Sequence, residues 1–542
     1  MMSTWPTNSP RILFSIFGIV TLGFLTALAT DMALSQLTPV KVLVLPLGIA
    51  LLIPTVVMKH PKAYWLFLLA LSIPFDISKW LSGWPVDSQS LVDLYGVPAS
   101  NTSAIEPYLT DVVLVVMVLP WFARVAVRRE TVYFPAIGYL YVLYLIWALL
   151  VSMVNAQSFY LALFELWRQA MYLLFFLYLI NNITTRLELR SVIWAVFLGF
   201  IIGTGTVVVF FKLDYGTATS IWKTEQPVKR TYGFKQTTRS DLTLQNDQGR
   251  RGGKEGQLSE SALKRSQGMF RHPAIAASLC GLILPIVLAY LVAARRNRDR
   301  ILLFMVFILG MAGLVLTFSK AGAISFAVGT IAFLAIGSWA GLISRRVLIG
   351  GLLALTVAVV LSAPWLIIYF GSRPDTFYMR FNIFQAAVYG YLEHPFLGVG
   401  FNNATGAMNA GKDELRELGI RMPNAESAEN LYLVVLTEVG PVGFILFFAF
   451  FGKLVLIALR AMRAAAIDLK PLLVGIVAGF ASLATQNLGD DTLGSHAISA
   501  MLWLLVSLIV VVARDIQSET RFYAAGGHAA PIRPRFAASA LT

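Results

Sequence analysis

The chain has 542 residues, of which 57% are hydrophobic and only 13% charged, against roughly 25% charged in a soluble domain. A chain this poor in charge cannot cover a water-facing surface, so a soluble enzyme is excluded. The net charge of +14 therefore does not point to nucleic acid. A single cysteine, Cys280, rules out an intramolecular disulfide. The five histidines (His60, His272, His394, His496, His528) lack metal-ligand spacing, and no metal or other cofactor is expected.

Apolar residues fall in blocks of about 20 separated by charged clusters, which predicts an all-α polytopic membrane protein with about 14 transmembrane helices. In chain order the predicted spans are 11–30, 40–58, 62–80, 108–127, 132–153, 159–180, 190–212, 272–293, 300–318, 321–340, 346–370, 430–459, 470–487 and 497–513. The first block, Arg11–Thr30, reads as a retained span rather than a cleaved signal. Residues 1–523 are expected to form a single transmembrane domain, and the small, Pro-containing stretch 524–542 a disordered cytoplasmic tail.

Charge sets the expected orientation. With the N-terminus in the cytoplasm, every short inside loop is basic: Lys59 and Lys62; Arg124, Arg128 and Arg129; Arg186 and Arg190; Arg295 to Arg300; Arg345 and Arg346; Arg460, Arg463 and Lys470; and Arg514. Short outside loops such as 154–158 and 488–496 carry no Lys or Arg. Both termini are then cytoplasmic, and two long loops, 213–271 and 371–429, are exoplasmic. No internal repeat of the kind common in secondary transporters is visible.

The first long loop holds twelve basic residues from Lys212 to Arg271 and six acids. Such a loop is either solvated against anionic lipid or shaped for an anionic ligand. Arg265 and Arg271 lie where the chain re-enters the membrane, at the depth of a phosphate headgroup. Lys320, at a tight turn after Ser319, either packs or contacts phosphate. In the second loop, Leu415 and Leu418 predict a surface helix over 411–420 lying at the interface. Glu426 and Glu429 precede a span; there an acid either complements the helix dipole or serves as a base. Within spans, Glu165 and Arg168 are three apart and expected to pair, and Glu438 is expected to be structural.

Three stretches, in this order, resemble the O-antigen ligase and O-antigen polymerase superfamily of bacterial membrane glycosyltransferases. The first is Gln267-Gly-Met-Phe-Arg-His-Pro273, before a span rich in small residues. The second is Thr317-Phe-Ser-Lys-Ala-Gly322, where Lys320 stands in place of the family's Arg. The third runs from Arg380 through His394-Pro-Phe-Leu-Gly-Val-Gly400 to Asn430-Leu-Tyr-Leu433 and Glu438-Val-Gly440 with Gly443. The resemblance implies a glycosyltransferase-C-like helical bundle that transfers glycan from an undecaprenyl-diphosphate carrier at the outer face of the bacterial inner membrane, without a metal. It implies a diphosphate-binding set of Arg265, Arg271, Arg380 and Lys320, with Arg380 and Glu429 as catalytic residues. The family's ligases commonly carry His directly before the Asn-x-Tyr-Leu stretch; in this chain that position is Glu429, which favours a polymerase of exopolysaccharide or O-antigen repeat units over a ligase. Expected partners are the lipid-linked glycan, membrane lipids and other polysaccharide-assembly proteins. A glycolipid flippase is the competing class.

Overall fold

The computed structural model describes residues 57–75, 107–213, 266–353, 356–357, 360, 375–420, 422 and 428–524. Among them the chain is helical, without strands. The principal helices are α1 (Pro61–Ser72), α2 (Leu109–Arg128), α3 (Ala136–Asn155), α4 (Phe159–Asn182), α5 (Arg186–Leu213), α6 (Pro273–Ala293), α7 (Asn297–Leu316), α8 (Lys320–Trp339), α9 (Asp375–Leu392), α10 (Ala404–Glu417), α11 (Leu431–Ala464), α12 (Lys470–Gln486) and α13 (His496–Ala524). A further helical run occupies 345–353. Nine of these helices (α2 to α8, α11 and α13) are long and apolar enough to cross a membrane, so the protein is a multi-pass membrane protein. Of the fourteen expected spans, 11–30 and almost all of 40–58 lie outside the described residues, as do the loop 214–265 and the tail 525–542.

Two helices run through the centre. α6 is buried along most of its length and packs against α12, α8, α7 and α5. The approach to α12 uses small residues: a Cβ on Gly475 would meet Ile286 Cα at 2.5 Å, and one on Gly281 would meet Ser482 Oγ at 2.5 Å. In lipid, where apolar surface gains nothing by leaving the solvent, such close backbone contact is what drives association. α13 is buried throughout its spanning part and packs against α4 and α11, with Trp503 meeting Tyr141 and Phe176 edge to face and Phe450 at a tilt.

The basic short loops gather at one end of the bundle. There Lys62 pairs with Glu188 at 3.1 Å, Arg186 with Asp468, Lys470 donates to the Ala340 carbonyl at 3.2 Å, and Arg514 to the Ile180 carbonyl at 2.6 Å. The other end carries the starts of α4, α6, α8, α11 and α13 and the last residues of α12, joined by the loop 487–495.

Two elements differ from expectation. The 411–420 helix begins earlier, at Ala404. It docks on α9 with Leu415 buried while Leu418 is 68% exposed, because Gly411 lets its backbone reach the Ala386 carbonyl. The span predicted at 430–459 is two helical pieces joined at Gly440, whose φ of 64° and ψ of −175° break the helix; Pro441 follows. Pro441 has no N–H to offer the Thr437 carbonyl. The freed carbonyls find donors elsewhere. Val399 N donates to Thr437 O at 2.8 Å, Gly400 N to Glu438 O at 3.0 Å, and Trp147 Nε1 to Val439 O at 2.9 Å. The loop that supplies the first two is His394-Pro-Phe-Leu-Gly-Val-Gly400, itself pinned from α3 by Asn155 Nδ2 donating to Gly398 O at 2.8 Å. The two glycine-bearing stretches of the third motif are thus one structural unit, a break and the loop that seals it.

Candidate functional site

Where α9, α11 and the loop 487–495 meet, Arg380 sits between two carboxylates. Its Nε lies 3.2 Å from Glu429 Oε2 and its Nη2 3.0 Å from Asp490 Oδ1. Asp490 is the more buried partner, with its side chain 14% exposed against 38% for Glu429. It is also held on its other oxygen: Gln486 Nε2 donates to Asp490 Oδ2 at 3.0 Å, and Ser325 on α8 donates to Gln486 Oε1 at 3.0 Å. Glu429 does not cap α11. Its backbone is left-handed, with φ 48°, and the cap is Asn430, whose side-chain oxygen accepts from Leu433 N at 3.1 Å. Asn430 Nδ2 also donates to the Leu488 carbonyl and Tyr432 to the Ala484 carbonyl, so the Asn-x-Tyr stretch ties α11 to the end of α12. Burial pushes the Glu429 carboxyl above its ordinary range; Arg380 opposes that rise and Asp490 adds to it. A carboxyl raised in this way is a better base near neutral pH than an exposed one.

The remaining predicted phosphate contacts are distributed around the same end. Lys320 opens α8 behind Ser319, which caps the helix by accepting from Gly322 N at 3.1 Å. The start of α8 borders Arg380: a Cβ on Gly489 would meet Arg380 Nη1 at 3.1 Å and Ala321 Cβ at 3.4 Å. Arg271 lies 5.9 Å over the Tyr108 ring, and Tyr108 stacks on His496, so Arg271 stands at the far end of the loop from Arg380. The stretch around it is fixed by Ser266, which donates to the Val207 carbonyl at 2.7 Å, and by His272 as the cap of α6. Arg265 lies outside the described residues.

Beneath this face, inside the bundle, lies a second polar cluster. Glu165 Oε1 binds Arg168 Nη2 at 2.7 Å and Gln169 Nε2 at 2.7 Å, the pairing expected from their spacing, and Arg168 Nη1 donates to the Gly494 carbonyl at 2.8 Å. With Glu438, Asp491, Tyr141, Tyr144 and Trp503 these residues line a cavity of about 50 Å³. Glu438 receives the backbone amides of Asn402 and Ala404, which joins the sealing loop to this cluster. Burial pushes the Asp491 carboxyl up to about 6, with Arg168 and the Gly494 and Leu493 amides pulling the other way.

Sequence reading misses Asp490 and Asp491. The signal is present in the run Gly489-Asp-Asp-Thr492, two adjacent acids in a short loop between apolar helices. The charge pattern uses that loop only for its lack of basic residues. Among the described residues no three His, Cys, Asp or Glu side chains are grouped to hold a metal ion.

Residues 303–448, from α7 through the break in α11, match the family described as O-antigen ligase. No curated protein matches the chain. Members of this family are membrane enzymes that transfer glycans, and their substrates are lipid-linked. The matched segment contains Lys320, Arg380, the sealing loop and Glu429, so the chain is a multi-pass membrane protein carrying an O-antigen ligase family domain.

Proposed function

We propose that the protein is a polymerase of undecaprenyl-diphosphate-linked oligosaccharide repeat units, of an exopolysaccharide or O-antigen, acting at the outer face of the bacterial inner membrane with both termini in the cytoplasm. The observation that carries this reading is the contact of Glu429 with Arg380, a carboxylate and a guanidinium held 3.2 Å apart at the end of the bundle away from the basic loops. The acceptor sugar hydroxyl attacks the anomeric carbon of the donor glycan. Glu429 takes the hydroxyl proton, the new glycosidic C–O bond forms, and the bond from the anomeric carbon to the diphosphate oxygen breaks with its electron pair leaving on the diphosphate. Arg380, assisted by Lys320 and by Arg265, holds that developing charge, the part a cation plays in any anionic leaving-group reaction. The guanidinium fork suits phosphate oxygens better than an ammonium does.

Ligation of the finished glycan to lipid A-core is the second reading, favoured by the family description. Glu429, in place of the ligases' His, favours polymerisation. A flippase is disfavoured because the helix break does not line an open path: the Thr437, Glu438 and Val439 carbonyls are all taken by protein donors. The test is Glu429→Gln, which keeps shape and removes the base. At equal protein level it should cut glycan transfer about 10²–10⁴-fold, the usual range for a lost general base. Near-normal polymer length from this variant would refute the catalytic assignment. Product made only with added lipid A-core would turn the reading to ligase.

A further inference from the structure

Arg380 is bracketed by carboxylates that are not equivalent. Asp490 sits on the inner side, 14% exposed, anchored through Gln486 to Ser325 on α8. Glu429 sits on the outer side, more exposed, on a residue whose left-handed backbone a β-carbon disfavours. A diphosphate that arrives from outside brings several anionic oxygens to the same guanidinium. Only one of its two present partners can give way without undoing a buried hydrogen-bonded chain, and that partner is Glu429.

We propose that Asp490 is a positioning residue that holds the Arg380 guanidinium in place, and that a diphosphate bound to Arg380 displaces Glu429. The inference rests on the proposed glycosyl-transfer function. Glu429 is then tied up by Arg380 until the donor is seated, and its carboxylate is released to the acceptor hydroxyl only at that moment. This order protects the lipid-linked donor: a free carboxylate beside an open site would equally activate water and waste the glycan by hydrolysis. Asp490 stays bound throughout and keeps the fork aimed outward.

The two carboxylates should therefore act on donor binding with opposite signs. The experiment measures binding of undecaprenyl diphosphate, without glycan, to the purified full-length protein in lipid nanodiscs. Glu429→Gln removes the competitor and should tighten binding by about tenfold, the size of one charge-assisted hydrogen bond, although the same variant abolishes transfer. Asp490→Asn removes the anchor and should weaken binding by about tenfold, and Asp490→Glu, which keeps the charge, should recover most of it. A misfolded protein cannot bind more tightly, so the Glu429→Gln arm stands whatever Asp490→Asn does to the fold. Weakened or unchanged binding in Glu429→Gln would overturn the displacement. Tightened or unchanged binding in Asp490→Asn would make Asp490 a second competitor, or a bystander, and overturn the positioning role. If the wild-type protein binds no undecaprenyl diphosphate at all, the glycosyl-transfer reading fails, a result distinct from either of these.

Discussion

Replacing Gly440 with alanine would test whether the break in α11 is required by the fold. Its φ of 64° with ψ of −175° lies in a region essentially reserved for glycine, and placing a side chain there costs about 1–3 kcal/mol. The added Cβ would also run into the Phe396 carbonyl oxygen and come within 2.9 Å of the Leu397 carbonyl carbon. Both are backbone atoms, so the loop must retreat as a unit. Retreat breaks the hydrogen bonds from Val399 to Thr437 and from Gly400 to Glu438, each contributing about 0.5–1.5 kcal/mol. Together the loss comes to about 2–6 kcal/mol. Gly452, in the same helix, is the control: a Cβ there meets nothing within 4 Å, and alanine should be roughly 0.5–1 kcal/mol more favourable than glycine. Thermal unfolding of the detergent-solubilised protein should put Gly440→Ala far below wild type and Gly452→Ala at or slightly above it. Equal melting of the two variants would refute the argument that the sealed break is a built feature.

Arg380→Ala should abolish most transfer, since each charge-assisted contact to diphosphate contributes about 1.5–3 kcal/mol, and Arg380→Lys should recover only part because an ammonium cannot span Glu429 and Asp490 as a fork does. The Asp491 carboxyl, raised from 3.8 to about 6, binds its proton more tightly in the folded chain, so stability should fall as pH rises from about 4 to about 6 and level off above. Asp491→Asn removes that loss. It should melt higher than wild type at pH 8, by up to roughly 3 kcal/mol of stability, and converge with it near pH 4; a constant difference across that range would refute the assignment. For sidedness, cysteines introduced at the exposed Glu414 and Asn297 should label from outside and inside respectively, over a silent background because the native Cys280 is buried. Lys412 is buried and unsuited to the purpose. Outside labelling at 297 in intact cells would reverse the topology.

What the sequence made legible was what depends on local spacing. Apolar blocks marked the spans, and Glu165 with Arg168, one turn apart, formed the expected pair. The family resemblance also marked Arg380 and Glu429, although nothing in the spacing of 380 and 429 foretold that they touch. The Arg380–Asp490 contact joins residues 110 apart, and no periodicity carries such information. The break at Gly440 was hidden for another reason. Hydropathy continues smoothly across Val439-Gly-Pro-Val442, and only the bonding of the carbonyls to a loop about forty residues earlier distinguishes a sealed break from a tolerated glycine. The docking of α10 on α9 was missed because its close approach is set by small residues, Gly411 against Ala386 and Gly390 against Ala407, which leave no mark in a leucine pattern.

The left-handed backbone of Glu429 has a consequence for anyone seeking a sturdier form of the protein. At φ 48° asparagine or glycine would sit with less strain than glutamate, so position 429 will surface in any screen that rewards heat resistance alone. With Glu429 as the base, those robust variants would be inert. The residue marks a spot where the chain forgoes durability to keep an acid group in reach of its partner, and activity has to be measured alongside melting in every such screen.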